Sequence, residues 1–486
     1  MFPFVFKLAR GITLMEKDDR YFITSQTPIR YLRLNQQLYE IIKMISAGAS
    51  LDGITGPKTW PEQKKIVEVI FTLVAKGFLE LSSQDGDQEQ DPGLPAVTVI
   101  IPVRNRPEDI RDCLSSLGNL DYPKEKLEII VVDDASTDDT AGVIREFGVK
   151  LVSHDVCKGP GACRNRGGEA ASGEILAFLD SDCTVSPSWL KEMVRFFSLP
   201  GIGAMGGFVA GYYQSSAVDR YEDAFSSLNM GKRVLFESNA ASMFYVPTCN
   251  FLVRREVFRE IQGFQPQMQV GEDVDFCWRL RNAGHHLLYV PTGVVFHKHR
   301  NLFRKMLKRR FDYGTSEPDL YRRHGEKKKI LPCPLYQGIS LILVFGALLS
   351  RSVLPLGLIP VLFYLDFRKK KKAVDAYLLP FHTRSIILST IRSTFSFWYY
   401  CCFYLIRYYF IVLVLLTAIF PVFGTFLLFA VLMATLVDYF LKKPRLSFFP
   451  FAGIYLLEHT FYQCGVFYGC FKRHYFRSLL PDIMIS

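Results

Sequence analysis

The chain holds 486 residues, about three domains' worth on the usual length prior. Hydrophobic residues at 49% and aromatic residues at 14% are high for a wholly soluble protein, and a net charge of +11 fits a generally solvated basic surface or, more sharply, anionic lipid or phosphate-bearing substrates. No nucleic-acid-binding motif accompanies that charge, so no nucleic acid is expected as a partner. The opening stretch Met1-Phe2-Pro3-Phe4-Val5-Phe6-Lys7 is too short, with its charge in the wrong order, for a signal peptide. Gly11 to Thr24 has strand character around a charged turn, Glu16 to Arg20, and Tyr31 to Leu34 alternates like a short strand. Asn35 caps a predicted helix through Ile45, with Leu38, Ile41, Ile42 and Ile45 apolar. A second helix is predicted from Pro61 to Lys76, with Ile66, Val69, Ile70 and Leu73 on one face. Gly77 ends it, and Phe78 to Leu81 follows as a strand.

Hairpin, helix, helix and short wing over residues 1–83 resemble the PqqD-like peptide-recognition domains of peptide-modifying systems, a small α+β, winged-helix-like fold. The resemblance implies a strand edge that binds a peptide as an added strand. The plainer reading is a structural cap on the next domain. Residues 84–95 are polar, acidic and aperiodic, a linker.

From residue 96 to about 325 strands and helices alternate. Strands are predicted at Val97–Ile101, Leu127–Val132, Val149–Val152 and Ile175–Leu179, with helices at Pro107–Leu117, Asp138–Phe147 and Gly161–Ala171. Such alternation implies an α/β domain with a mostly parallel sheet. A polar cluster follows each strand: Pro102-Val103-Arg104-Asn105-Arg106, then Asp133-Asp134-Ala135-Ser136, then the glycine-rich Lys158 to Gly167, then Asp180-Ser181-Asp182. Ligands of open α/β sheets bind at this edge. A glycine-rich turn entering a helix N-terminus suits a phosphate-bearing ligand. In an extended segment residues two apart point the same way, so Asp180 and Asp182 can face one ligand together, with Ser181 turned aside. Two hard oxygen donors side by side suit Mg²⁺ or Mn²⁺. A solvated turn or a helix cap would use the same residues.

These motifs resemble the inverting glycosyltransferases of family 2, with the GT-A (nucleotide-diphospho-sugar transferase, Rossmann-like) fold, over about 230 residues. The resemblance implies a nucleotide-sugar donor and a divalent metal. It implies that Asp134 and Arg164 hold the nucleobase and Asp180 the ribose side, with Pro102, Arg104, Asn105, Asp133, Gly161 and Asn165 around the nucleotide. Asp182 would bind the metal that bridges the diphosphate, with Asp180 beside it. Farther on, Thr248 to Arg254 is a polar turn entering a strand, and Gly271-Glu272-Asp273-Val274-Asp275 opens a helix. Acids at a helix N-terminus can be simple capping. They also resemble the family's Glu-Asp motif, whose Asp is the general base, here Asp273 with Asp275 as the alternative. Val295 to His299 carries two histidines, and the family often supplies a further metal ligand there, His297 ahead of His299. Trp189 and Trp278 are expected in the core.

The stretch Arg300 to Lys329 is strongly basic and precedes apolar runs, which suits a membrane surface. Residues 326–486 form an apolar, α-helical, membrane-associated region. Its runs cover Leu335 to Phe367, Tyr408 to Leu441 and Phe448 to Cys470. Breaks at Pro355, Pro360 and Phe420 to Gly424 fit re-entrant or interfacial hairpins as well as straight spans. The 11 cysteines lack zinc-site spacing, and several lie in apolar runs, consistent with reduced thiols on the cytosolic side. No Gln-X-X-Arg-Trp motif follows the acidic motif, which argues against a processive polysaccharide synthase. The domain order resembles the glycosyltransferases of mycofactocin systems. That implies glucose transfer from UDP-glucose onto premycofactocin, a redox cofactor made from a peptide precursor, as a β-linked chain. A lipid-linked or cell-wall acceptor, or a non-catalytic membrane-tethered peptide binder, are the other readings.

Overall fold

The computed structural model describes residues 4–56, 58–82, 93–237, 243–299 and 302–485. Most of the expected linker, and Arg300 at the head of the basic stretch, lie outside them. The backbone divides into two compact units, Met1–Arg10 with Gln36–Asn301, and Gly11–Asn35 with Leu302–Ser486.

The first unit is built on an eight-stranded sheet. Its elements in chain order are β1 (Val97–Val103), α1 (Pro107–Gly118), β2 (Leu127–Asp133), α2 (Thr140–Glu146), β3 (Lys150–Ser153), α3 (Pro160–Ala170), β4 (Ile175–Leu179), β5 (Ile202–Gly206), β6 (Leu235–Glu237), β7 (Asn250–Arg254), α4 (Glu272–Asn282) and β8 (His286–Tyr289). The spatial order is β6-β8-β5-β7-β4-β1-β2-β3. From β4 to β3 the sheet is parallel, as helical crossovers require. β7 runs antiparallel to both β5 and β4, and β6 antiparallel to β8, so the sheet as a whole is mixed. Helical crossovers dictate direction only in the first half.

All five residues of β4 are buried, as an apolar run with two covered faces must be. Phe178 packs on Phe251, Phe258 and Phe264, and Phe264 stacks on Phe276 at 4.5 Å between ring centroids. This aromatic cluster joins β4 and β7 to the first turns of α4, so the end of β4 and the start of α4 are held together. Trp189 and Trp278 are both buried, as expected of core residues. A small second sheet joins Cys183–Val185, Val295–His297 and Val209–Gly211. Its antiparallel register sets His297 opposite Cys183, next to the turn that carries Asp182.

Most of the N-terminal segment belongs to this unit: helices Gln36–Ser46, Leu51–Thr55 and Trp60–Ala75, and the paired strands Val5–Leu8 and Leu79–Ser82. The three-stranded sheet Ile12–Lys17, Arg20–Gln26 and Ile29–Leu34 belongs to the second unit. There Phe22 is buried with Val374, Leu379 and Ile386. The segment 1–83 therefore contributes to both units.

The helices of the second unit are α5 (Phe303–Arg323), α6 (Leu335–Ser350), α7 (Ile359–Ala376), α8 (Thr383–Ile419), α9 (Phe423–Lys442) and α10 (Phe448–Arg473). The expected breaks are real: a 3-10 turn at Leu354–Leu358 splits the first apolar run, and Phe420 to Val422 splits the second. The third run is continuous. α5 and α10 approach so closely that a Cβ on Gly314 would lie 2.2 Å from the Tyr462 carbonyl oxygen. Between them Glu317 is buried, accepting hydrogen bonds from the Tyr408 and Tyr462 hydroxyls and pairing with Lys329. α8 and α9 are long and apolar enough to cross a membrane.

Candidate functional site

Asp134 stitches the loop after β2 to the loop after β3. Its two oxygens accept from the backbone N–H groups of Lys158 and Gly159, each at 2.8 Å. They also meet His154 Nδ1 and the Cys157 thiol, both at 3.1 Å. Burial alone would raise this carboxyl. The Lys158 and Gly159 amides, His154 and Cys157 outweigh it and hold the group down at about 2. Gly159 has φ +91°, open to glycine at little cost, and a Cβ there would run into Gln269. Asp133 is buried and accepts from the Ser136 N–H at 3.1 Å. Asn105, left-handed at φ 51°, donates its N–H to Ser136 Oγ at 2.9 Å and accepts from the Thr137 N–H at 2.8 Å. Arg104 reaches the Cys157 sulfur at 2.7 Å. Pro102 is still within β1, opposite Val132, rather than beyond its end.

The glycine-rich helix α3 supplies residues with different tasks. Gly161 is buried in its first turn. Asn165 donates to and accepts from the Phe264 backbone at 2.8 and 2.7 Å, so it pins the turn before α4. Arg164 is buried at 3% exposure, with its guanidinium 2.7 Å from Asp180 and 2.9 Å from Glu272. Burial would lower its pKa, but the two carboxylates raise it, so the guanidinium stays charged. Arg164 thereby ties the end of β4 to the first residue of α4.

Asp180 and Asp182 lie in a turn, closed by the Cys183 N–H on the Asp180 carbonyl at 3.1 Å, not in an extended strand. The sheet ends at Leu179, so the two-residue alternation does not reach them. Asp180 turns to Arg164. Asp182 faces Arg106 through one oxygen and His297 Nε2, 3.4 Å away, through the other. Burial would raise the Asp182 carboxyl, but the neighbouring His297 and the Arg106 guanidinium outweigh it and hold it below the usual carboxylate range. Donor atoms of Asp182, Cys183 and His297 lie within 4.8 Å of one another. Burial pushes the Cys183 thiol well up, so it stays protonated beside the Cys249 thiol. The donors left are a carboxylate oxygen and an imidazole nitrogen; the oxygen suits Mg²⁺ or Mn²⁺, and the nitrogen favours Mn²⁺ of the two. His297 Nδ1 has no hydrogen-bond partner among the described residues. His299 is buried, its ring 4.9 Å from that of His297, and it is His297 that meets Asp182.

The three acids of α4 have separate partners. Gly271 precedes them in the left-handed region, φ 81°. Glu272 pairs with Arg164. Asp275 is buried and pairs with Arg279 at 2.7 Å, and Arg279 also donates to the carbonyls of Ile261 and Gly263. Asp273 is half-buried and accepts from the Val274 N–H at 2.8 Å.

Two residues escaped the sequence-based choice of site residues. Arg106 pairs with Asp182 across 76 positions, a separation with no local signal. Lys298 donates to Asp109 at 3.0 Å and Asp112 at 2.6 Å, while its N–H holds the Asp182 carbonyl at 2.8 Å. All eleven cysteines are free.

The family model described as Glycosyl transferase family 2 matches residues 98–262. The chain is 31% identical over 299 residues to a pre-mycofactocin glycosyltransferase of Mycobacterium tuberculosis, covering 60% of each. It is 35% identical over 231 residues to glycosyltransferase AglE of Haloferax volcanii, covering 46% of this chain and 73% of AglE. The solved mannosyltransferase PcManGT from Pyrobaculum calidifontis, in complex with GDP-Man and Mn²⁺, is 18% identical with a TM-score of 0.46, covering 85% of this chain and 96% of that one. The chain thus spans 60% of the length of the pre-mycofactocin glycosyltransferases it matches.

Proposed function

Because this chain belongs to glycosyl transferase family 2, we propose that it is an inverting glycosyltransferase that moves glucose from UDP-glucose onto premycofactocin or its peptide precursor, building a β-linked chain. The observation that carries the reading is the Arg164 bridge between Asp180, at the end of β4, and Glu272, the neighbour of Asp273. One buried cation holds both a donor-side carboxylate and the residue next to the candidate base. The identity to pre-mycofactocin glycosyltransferases supports the acceptor.

In this reading the loops around Asp134 take the nucleoside. Asp182 and His297 would hold Mg²⁺ or Mn²⁺, which neutralises charge on the leaving diphosphate. Asp273 takes the proton of the acceptor hydroxyl as that oxygen attacks the anomeric carbon from the face opposite the diphosphate. Asp275 is tied to Arg279, which argues against it as the base. Arg164 keeps Asp180 and Glu272 in place while charge moves. Residues 1–83 are proposed to receive the peptide-derived acceptor at a strand edge.

Membrane association belongs to the same proposal. α8 and α9 are long and apolar enough for it, and Val353, Leu354, Ile419 and Phe420 are exposed at the turns. The run Arg368 to Lys372 would meet the anionic cytoplasmic leaflet. The same apolar surface favours a second reading, a lipid-linked acceptor. The test is to incubate the purified chain with UDP-glucose, Mn²⁺ and premycofactocin and to follow product mass and anomer. Successive hexose additions with β linkages support the proposal. Transfer only to a lipid-linked acceptor selects the second reading.

A further inference from the structure

Asp182 is occupied on both oxygens, by Arg106 on Oδ2 and by His297 on Oδ1. A divalent cation binding Asp182 here meets a guanidinium already seated on the same carboxylate. Resting on the reading of Asp182 as the metal-holding carboxylate, we propose that Arg106 is a built-in counterion that yields Asp182 to the metal and passes to the donor's diphosphate.

Three features of the site favour such an exchange. The backbone of Arg106 is fixed, its N–H donating to Thr140 Oγ1 at 2.9 Å, so the side chain alone can move. That side chain is one-third exposed, at 34%, so it is not sealed inside the core. Asp109, one turn along α1, lies 3.7 Å from the same guanidinium nitrogen. Asp109 is a shared counterion, its other oxygen already carrying Lys298 at 3.0 Å. A displaced Arg106 thus lacks a full counterion until an anion arrives.

The residue type suits the second half of the exchange. A guanidinium does not lose its proton, and its planar fork matches phosphate oxygens two at a time. The consequence is reciprocal coupling. Metal alone binds weakly because it must evict Arg106 with nothing to receive it. Nucleoside diphosphate receives Arg106 and so tightens the metal, and metal tightens the diphosphate by the same factor. This device orders the arrival of ligands and keeps the carboxylate charged and shielded between turnovers.

The test is Mn²⁺ binding followed by the electron paramagnetic resonance of free Mn²⁺, on the full chain in detergent, with and without UDP. Wild type should bind Mn²⁺ about 10-fold or more tightly with UDP present, within the usual range of coupling. Arg106→Gln should bind Mn²⁺ alone about 10-fold more tightly than wild type, and UDP should add little further. Arg106→Lys keeps the charge but not the fork. It should bind Mn²⁺ alone as weakly as wild type and show reduced coupling to UDP. Arg106→Gln with Mn²⁺ affinity no better than wild type would overturn the exchange, as would full coupling in Arg106→Lys. Should Asp182→Ala leave Mn²⁺ binding with UDP unchanged, the metal reading itself falls and the exchange with it. If Arg106→Gln does not fold, the Arg106→Lys coupling decides.

Discussion

Replacing Arg164 with methionine removes a buried cation that joins the donor-side turn to the helix of the candidate base. Arg164 is 3% exposed and sits 2.7 Å from Asp180 and 2.9 Å from Glu272. Removing one partner of a buried pair costs about 3–5 kcal/mol, since the remaining charge is left without compensation. The Asp180 side chain is 29% exposed and can turn toward water, whereas Glu272 at 11% cannot. The lower end of the range, about 3 kcal/mol, is therefore expected. For a unit of this size that lowers the unfolding midpoint by about 6–12 °C. Tryptophan fluorescence is a suitable probe, because Trp189 and Trp278 are buried in the affected unit. Adding Glu272→Gln to Arg164→Met removes the stranded charge and should restore about 1 kcal/mol or more relative to additivity. A midpoint for Arg164→Met within about 2 °C of wild type would refute the reasoning. A double variant no better than the sum of its parts would do the same.

Four shorter predictions rest on other parts of the site. Asp273→Asn should bind UDP normally and lose about 10²–10⁴-fold in transfer rate, measured as hexose incorporation; near-normal turnover removes Asp273 as the base. Asp182→Ala should abolish the Mn²⁺ dependence of UDP binding in calorimetry, and unchanged affinities with and without metal would take Asp182 out of the site. Asp134, held at about 2 by the Lys158 and Gly159 amides, adds stability that is complete above its ordinary value near 3.8 and is lost as pH falls toward 2. The midpoints of wild type and Asp134→Asn should therefore differ at pH 6 and converge at acid pH, and a constant gap contradicts this. Phe22→Ala, at 1% exposure in the second unit, should cost that unit about 3–5 kcal/mol and leave the Trp189 transition in place; a shift confined to the first unit would contradict the division of the N-terminal segment.

Much of the catalytic unit was legible because its signals are local. Five apolar residues before Asp180, and a polar cluster after each of four strands, announce a sheet edge without any long-range information. Both expected core tryptophans, and the helix breaks at Pro355 and around Phe420, are equally plain, although Pro360 falls inside α7. What escaped depends on pairs far apart in the chain. Nothing near Arg106 signals Asp182, and nothing near Arg164 signals Glu272, 108 residues away. The residue sequence of β7 carries no mark of its antiparallel direction, because an apolar strand buried on both faces reads alike either way. The turn at Asp180 to Asp182 was missed because alternation was extended past Leu179, where the sheet stops. The N-terminal hairpin reads correctly as two strands, yet its apolar partners, Val374, Leu379 and Ile386, lie some 350 residues on.

The account stands or falls on whether the chain consumes UDP-glucose for this acceptor. The most direct measurement is UDP release from UDP-glucose by the purified full chain with Mn²⁺, with and without premycofactocin. The account predicts release that premycofactocin stimulates, matched by hexose gained on the acceptor. Release indifferent to premycofactocin, or no release at all from UDP-glucose, would contradict it.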